Sequence, residues 1–344
     1  MGNDIRKVCI INTGGTIGML PTEDGYATND DYMREVLPQV LGPKEGSGDL
    51  PAWELVQLPQ LLDSSNVSIN EWRIIAGLIR DNYDSFDGFV ILHGTDTMAY
   101  TASALSFMLE NLGKPVILTG SQIPLFRVRS DARENLITSC IIAAEGKCPE
   151  VCLFFGGKLL RGNRATKASS DQLIAFESPN LPPLAEAAIN IQYDTHLIRR
   201  PELGEKFRVS EFKEDVPVAV LKIFPGIQYE LFDGILTDRL KGLVLEAFGA
   251  GNIPTGSDGL LHVVEEAAAN GTVIVVCTQC LRGSVLLGAY EASAPLIKAG
   301  AVSGLDITPE AAVTKLYHLF SKGLTSEQVR EEMGKSLRGE MGGA

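Results

Sequence analysis

Up to about residue 200 the chain alternates between two kinds of segment. Nearly all-apolar runs at 8–12, 53–58, 86–92, 115–119 and 151–157 have the length and continuity of strands covered on both faces. Between them the apolar positions recur at helical spacing. Met98, Leu105, Met108, Leu109 and Leu112 stand three, four or seven apart, and Gly113-Lys114-Pro115 predicts where that helix stops. Ser130-Asp131 opens another helix that runs through Leu136, Ile137 and Ile141 to Gly146. Such alternation predicts parallel βαβ units in a doubly wound sheet. Residues 199–217 are charged, punctuated by proline and glycine, and poor in core-forming pattern. A second α/β pattern follows, with strands at 218–224, 242–249 and 272–279 and helices around 258–270, 309–320 and 325–336. The expected organisation is α/β throughout. It comprises a larger N-terminal domain over 1–200 with a mostly parallel doubly wound sheet, a linker over 201–217, and a smaller flavodoxin- or Rossmann-like C-terminal domain over 218–344.

Composition narrows the function. A chain of 344 residues is longer than one core usually spans, and 45% hydrophobic with 21% charged residues is ordinary for a soluble globular protein. No apolar run approaches the roughly 18–20 residues of a membrane span, and the first residues enter a strand without a signal-peptide core, so the expected location is the cytoplasm. A formal charge of −13 disfavours a phosphate-neutralising face, so nucleic acid is not an expected partner. Six cysteines in so long a chain do not form a disulfide framework. The spacing Cys277-Thr-Gln-Cys280 has no second CxxC to complete a zinc site, and no metal is expected.

In open α/β sheets ligands bind beyond the carboxyl ends of the strands, so polar clusters after apolar runs are where chemistry is expected. These are Thr13-Gly-Gly-Thr16, Leu62-Asp63-Ser64-Ser65-Asn66, His93-Gly-Thr-Asp-Thr97, Gly120-Ser-Gln122 and, after a strand pair, Arg161 to Lys167. The first matches neither GxxxxGK[ST] nor GxGxxG, which argues against a phosphate cradle. A threonine nucleophile fits better; it needs a nearby base or proton relay, and a partly buried Lys167 could supply one. Each residue also has a structural reading: Thr16, Thr95 and Asp96 could cap helices, Lys167 could simply pack, and His93 belongs to a strand end with no evident carboxylate partner.

Thr13-Gly-Gly-Thr-Ile together with His93-Gly-Thr-Asp-Thr-Met resembles the paired signature motifs of the L-asparaginase family. Nearly the whole chain extends the likeness: LLDSSN at 61–66, MAYTASALSFML at 98–109, LTGSQIPL and RSDARENL within 118–136, RGNRATKA at 161–168, SPNLPPL at 178–184, FGAGN at 248–252 and TQC at 278–280. It is most similar to the cytosolic type I bacterial members. The resemblance implies a cofactor-free amidohydrolase that converts L-asparagine to L-aspartate and ammonia. Thr16 is then the nucleophile, Tyr26 a lid tyrosine beside it, and Thr95 and Lys167 a second catalytic pair. Asp63, Ser64 and Ser65 hold the substrate's α-carboxylate and α-amine, and Asp96 binds the α-ammonium. Asn252 is contributed across a subunit interface in a homo-oligomer, a dimer of dimers. Some type I members also bind a second asparagine, through positions matching Thr166, Thr278, Cys280 and an arginine. Glu246 stands at the arginine position, which implies a vestigial site.

Two other functions share the motifs. The amidase subunit of a glutamyl-tRNA amidotransferase carries an additional N-terminal domain, which is not expected here with Thr16 in the first strand. A non-catalytic ligand sensor would be expected to lose the nucleophile or the Thr95–Lys167 pair, and both are present. Glutamine remains a weak alternative substrate, because one methylene in a pocket discriminates only about 10–200-fold.

Overall fold

The computed structural model describes residues 5–48, 50–229, 239–254 and 258–342, and the chain divides between Ser210 and Glu211 into two compact units.

The first unit begins with β1 (Lys7–Gly14), whose Val8, Cys9, Ile10 and Ile11 have no solvent exposure. A hairpin of β2 (Met19–Thr22) and β3 (Gly25–Thr28) leads to α1 (Tyr32–Leu41), β4 (Ala52–Leu62), α2 (Ile69–Asn82) and β5 (Gly88–Leu92). Next come α3 (Met98–Met108), β6 (Leu109–Glu110), β7 (Val116–Thr119), α4 (Ala132–Glu145), β8 (Val151–Phe155) and β9 (Lys158–Arg161). Short strands complete the unit: β10 (Thr166–Lys167), β11 (Phe176–Glu177), β12 (Ala185–Ala187), β13 (Ile191–Tyr193) and β14 (Arg208–Val209). The eight-stranded sheet has the order β13-β12-β9-β8-β7-β5-β1-β4. It is parallel from β4 to β8 and antiparallel beyond. Alternate residues of one strand serve opposite faces. Val8, Ile10, Val90, Leu92 and Ile117 join Met33 and Leu37 of α1 and Leu136 and Cys140 of α4 in one core cluster, while α2 contacts β1 and α3 contacts β7 and β8.

The apolar runs of the sequence all become strands, but the helix expected to reach Leu112 stops at Met108. Leu109 and Glu110 leave it to pair with Val209 and Arg208. Buried Glu110 forms an ion pair with Arg208, which compensates its desolvation. The segment read as a linker therefore returns a strand to the first unit. Gly146, left-handed at φ 67°, ends α4 as its position predicts.

The second unit is a four-stranded parallel sheet of β15 (Val218–Lys222), β16 (Gly242–Ala247), β17 (Val273–Thr278) and β18 (Val302–Ser303), in that order. Its helices are α5 (Asp258–Ala269), α6 (Ala294–Lys298), α7 (Pro309–Ser321) and α8 (Ser326–Met333). Leu260 and Leu296, from α5 and α6, belong to one core cluster, and Leu316 and Val329, from α7 and α8, to another. Lys315 of α7 is fully buried, 2.8 Å from the equally buried Glu340.

Candidate active site

The carboxyl ends of β1, β4, β5 and β7 lie side by side, and the loops that follow them meet without room for side chains. Gly14 and Gly15 take positive φ of 109° and 84°. A Cβ on Gly14 would stand 2.3 Å from the Leu62 carbonyl oxygen, and one on Gly15 would stand 2.3 Å from the Gly94 nitrogen. One on Gly94 would meet Ser64 Oγ at 2.5 Å. Hydrogen bonds tie the same loops together. Gly15 N–H donates to the Leu62 carbonyl at 3.0 Å, the Thr13 hydroxyl to the Leu92 carbonyl at 2.8 Å, and the Thr97 hydroxyl to the Ser64 carbonyl at 2.7 Å. The two glycines at the end of the first strand thus close a seam between loops, and Thr16 begins the short helical turn beyond it.

These loops, with the β10 segment, enclose an open polar cavity of about 200 Å³ lined by Thr16, Asp63, Ser64, Thr95, Asp96, Gln122, Lys167 and Ser170. Lys167 Nζ donates to Thr95 Oγ1 at 2.9 Å and to Asp96 Oδ1 at 2.5 Å. The Asp96 side chain is 64% exposed, so the ion pair contributes about 0–1 kcal/mol to stability, and its main effect is to orient the lysine. Asp63 Oδ1 accepts from the Ser65 N–H at 2.9 Å and the Ser65 hydroxyl at 2.8 Å, which holds the turn that presents Ser64. The cavity therefore combines the hydroxyls of Thr16, Ser64, Thr95 and Ser170 with one ammonium and two carboxylates, a donor and acceptor set suited to a small zwitterion.

Six of the residues singled out in the sequence converge here: Thr16, Asp63, Ser64, Thr95, Asp96 and Lys167. Ser65 is not among the lining residues, and its hydroxyl is bonded to Asp63. Tyr26 lies outside the wall on β3, 49% exposed, with its ring centroid 6.1 Å from that of Phe126. Thr166 precedes Lys167 on β10, opposite Glu177. The others belong to the second unit. Asn252 closes a turn on Phe248, and its buried Oδ1 has no hydrogen-bond partner among the described residues. Glu246 on β16 lies in register with Lys222 and Cys277, and its carboxylate is 3.5 Å from Lys222 Nζ. Thr278 ends β17 and accepts the Cys280 N–H at 3.0 Å.

Gln122 is a wall residue to which the sequence gave no role beyond membership of a polar cluster. Its Oε1 accepts from the Thr95 hydroxyl at 3.1 Å. Its backbone N–H and that of Ile123 donate to Asp131, at the start of α4. His93 is fully buried instead. Its Nδ1 lies 2.7 Å from the Gly94 carbonyl and must carry the hydrogen, while Nε2 accepts from Thr101, which itself accepts from Trp72 Nε1. Burial pushes the imidazole down to about 4, against the opposing pull of the Gly94 carbonyl. Among the described residues no group of three or more His, Cys, Asp or Glu is placed to hold a metal ion.

Residues 7–199 match the family model "Asparaginase, N-terminal", and residues 217–333 match "Glutaminase/Asparaginase C-terminal domain". The chain is 44% identical to L-asparaginase 1 of Escherichia coli, with 98% of each chain covered. It is 40% identical to a Mus musculus protein named 60 kDa lysophospholipase, covering 98% of this chain and 62% of that one. Its fold superposes on the crystal structure of L-asparaginase I from Vibrio cholerae with a TM-score of 0.88 at 43% identity, over 98% of this chain and 99% of the other.

Proposed function

Because this chain belongs to the asparaginase family, we propose that it hydrolyses L-asparagine to L-aspartate and ammonia through a covalent threonine ester. The observation that carries the reading is the convergence of Thr16, Thr95, Lys167, Asp96, Asp63 and Ser64 on one small polar cavity. The Thr16 hydroxyl attacks the side-chain amide carbon, and the tetrahedral intermediate expels ammonia to leave an aspartyl ester. Water then attacks the ester, releasing aspartate and restoring the hydroxyl. Thr95 and Lys167 relay protons, and N–H groups at the start of α3 stabilise the developing oxyanion. Asp96 receives the substrate α-ammonium, and the Asp63–Ser65 turn receives the α-carboxylate and α-amine. Tyr26 swings from its place on Phe126 toward Thr16 when substrate enters. No cofactor takes part, and glutamine is a weaker substrate.

The reading includes a cytosolic homotetramer built from tight dimers. Among the described residues no helix is long and apolar enough to cross a membrane. Asn252 completes a neighbour's site. Among the described residues its buried Oδ1 has no partner, which costs about 1–3 kcal/mol, a penalty that rearrangement on assembly would remove.

The test is ammonia release from asparagine and from glutamine by the purified protein with a chelator present. Ammonia from neither substrate overturns the proposal. Thr16→Ala and Thr95→Ala are each expected to lower turnover at least ~10²-fold, because nucleophile and relay act as a unit. His93→Ala is expected to lower it far less.

A further inference from the structure

The side chain of Gln122 can be oriented in only one way. Its amide nitrogen lies 3.1 Å from the Ser170 carbonyl oxygen and 3.2 Å from that of Gln172, and both oxygens can only accept. Nε2 must therefore face them, which turns Oε1 toward the Thr95 hydroxyl at 3.1 Å. An amide oxygen also only accepts, so the Thr95 hydrogen lies on this bond. Thr95 Oγ1 is left with its lone pairs for Lys167, 2.9 Å away, and the lysine must be the donor. The directions run from Lys167 to Thr95 to Gln122, and in that arrangement Thr95 has no proton to offer the lysine.

We propose that Gln122 is a positioning residue that holds the Thr95 hydrogen away from Lys167, so that the relay can run only when the hydroxyl turns off Oε1. This rests on the reading of Thr95 and Lys167 as a proton relay. Reversing the Thr95–Lys167 bond needs a lone pair on Nζ, hence a neutral lysine. Every interaction that keeps the hydroxyl on Gln122 therefore favours the lysine as donor. The two carbonyls that fix the amide come from a segment 48 and 50 residues further along the chain, so the orientation of Gln122 depends on a contact remote in sequence. Besides Lys167, the charged groups facing the hydroxyl from the cavity wall are Asp96 and Asp63. Glu177 on β11 lies opposite Thr166, one register position away.

The test is the pH dependence of kcat with asparagine for the wild type and two variants. Gln122→Met keeps the length of the side chain without the acceptor, and the hydroxyl is free to turn toward Lys167. Its acidic limb is expected to move to lower pH by about half to one unit, the size of one neutral hydrogen bond. Gln122→Glu keeps an acceptor and adds a negative charge beside the lysine, and its limb is expected to move to higher pH. Opposite displacements support the proposal. Limbs that stay in place, or that move in the same direction in both variants, overturn it even where kcat falls, because damage to the 170–172 segment would lower turnover without opposing shifts. A wild type that releases no ammonia overturns both this inference and the proposed function, whereas an active wild type with unmoved limbs overturns the role of Gln122 alone.

Discussion

His93 sits two residues from Thr95, where a general base would be welcome, yet its surroundings fix it as a neutral donor–acceptor bridge. The imidazole couples stability to pH because the fold holds it neutral. In the fold its pKa lies near 4, against the ordinary 6.5. Between those values the unfolded chain binds the extra proton, so stability rises with pH across the window and is lost as pH falls from about 6.5 to 4. The loss at the acid end is of order 3 kcal/mol. His93→Asn retains a donor for the Gly94 carbonyl and does not titrate. Urea unfolding at pH 4.5 and 7 is expected to show a smaller stability difference for the variant than for the wild type, and equal differences would refute the assignment. At this scale much of the cavity is legible in the sequence, because Thr16, Asp63, Thr95 and Asp96 each belong to a polar cluster that follows an apolar run. Gln122 also follows one, but its part depends on carbonyls of Ser170 and Gln172, and no local pattern encodes that contact.

Among the elements, β1, β5, β7 and β8 announce themselves by continuous apolar runs, which the fold buries almost throughout. Glu110 is an instance of what pattern misses: the helix stops at Met108, and Glu110 in β6 is buried where a distant arginine arrives to pair with it. The antiparallel strands β12 and β13 have three residues each, too short for periodicity to register. The Lys315–Glu340 pair is similar, since each partner appears in the sequence as one more surface charge. Burial pushes the Glu340 carboxyl up, but the Lys315 ammonium and the N–H groups of Leu337 and Arg338 outweigh it and hold the group low. Glu340→Gln leaves a buried lysine without a counter-charge, and chemical unfolding is expected to show a loss of about 3–5 kcal/mol. A loss below about 1 kcal/mol would mean that the lysine charge is accommodated by the Met333 and Lys335 carbonyls, which it also meets.

For the molecule as a whole, two parallel-sheet units and a net charge of −13 were readable from composition and alternation, whereas assembly and regulation leave no local trace. The expectation for regulation is hyperbolic kinetics in asparagine. Glu246 would repel an effector's carboxylate where an arginine would bind it, and Lys222 at 3.5 Å already serves as its counter-charge. Opposite charges at 4 Å attract by about 4 kcal/mol at an effective dielectric near 20, which exceeds the 1–3 kcal/mol of typical allosteric coupling. Rate curves for Glu246→Arg that turn sigmoidal would mark a disabled regulatory site, and unchanged hyperbolas would leave Thr278 and Cys280 as strand-end packing. The contact between Lys315 and Glu340 has one further consequence, which lies in time. The chain is made from its amino end, and Glu340 is joined 25 residues after Lys315. Throughout that interval α7 carries a lysine without the buried carboxylate that it pairs with in the fold, so the second unit gains this pair only when nearly its last residues have been added. The first unit, with the whole cavity wall, lies upstream of that wait.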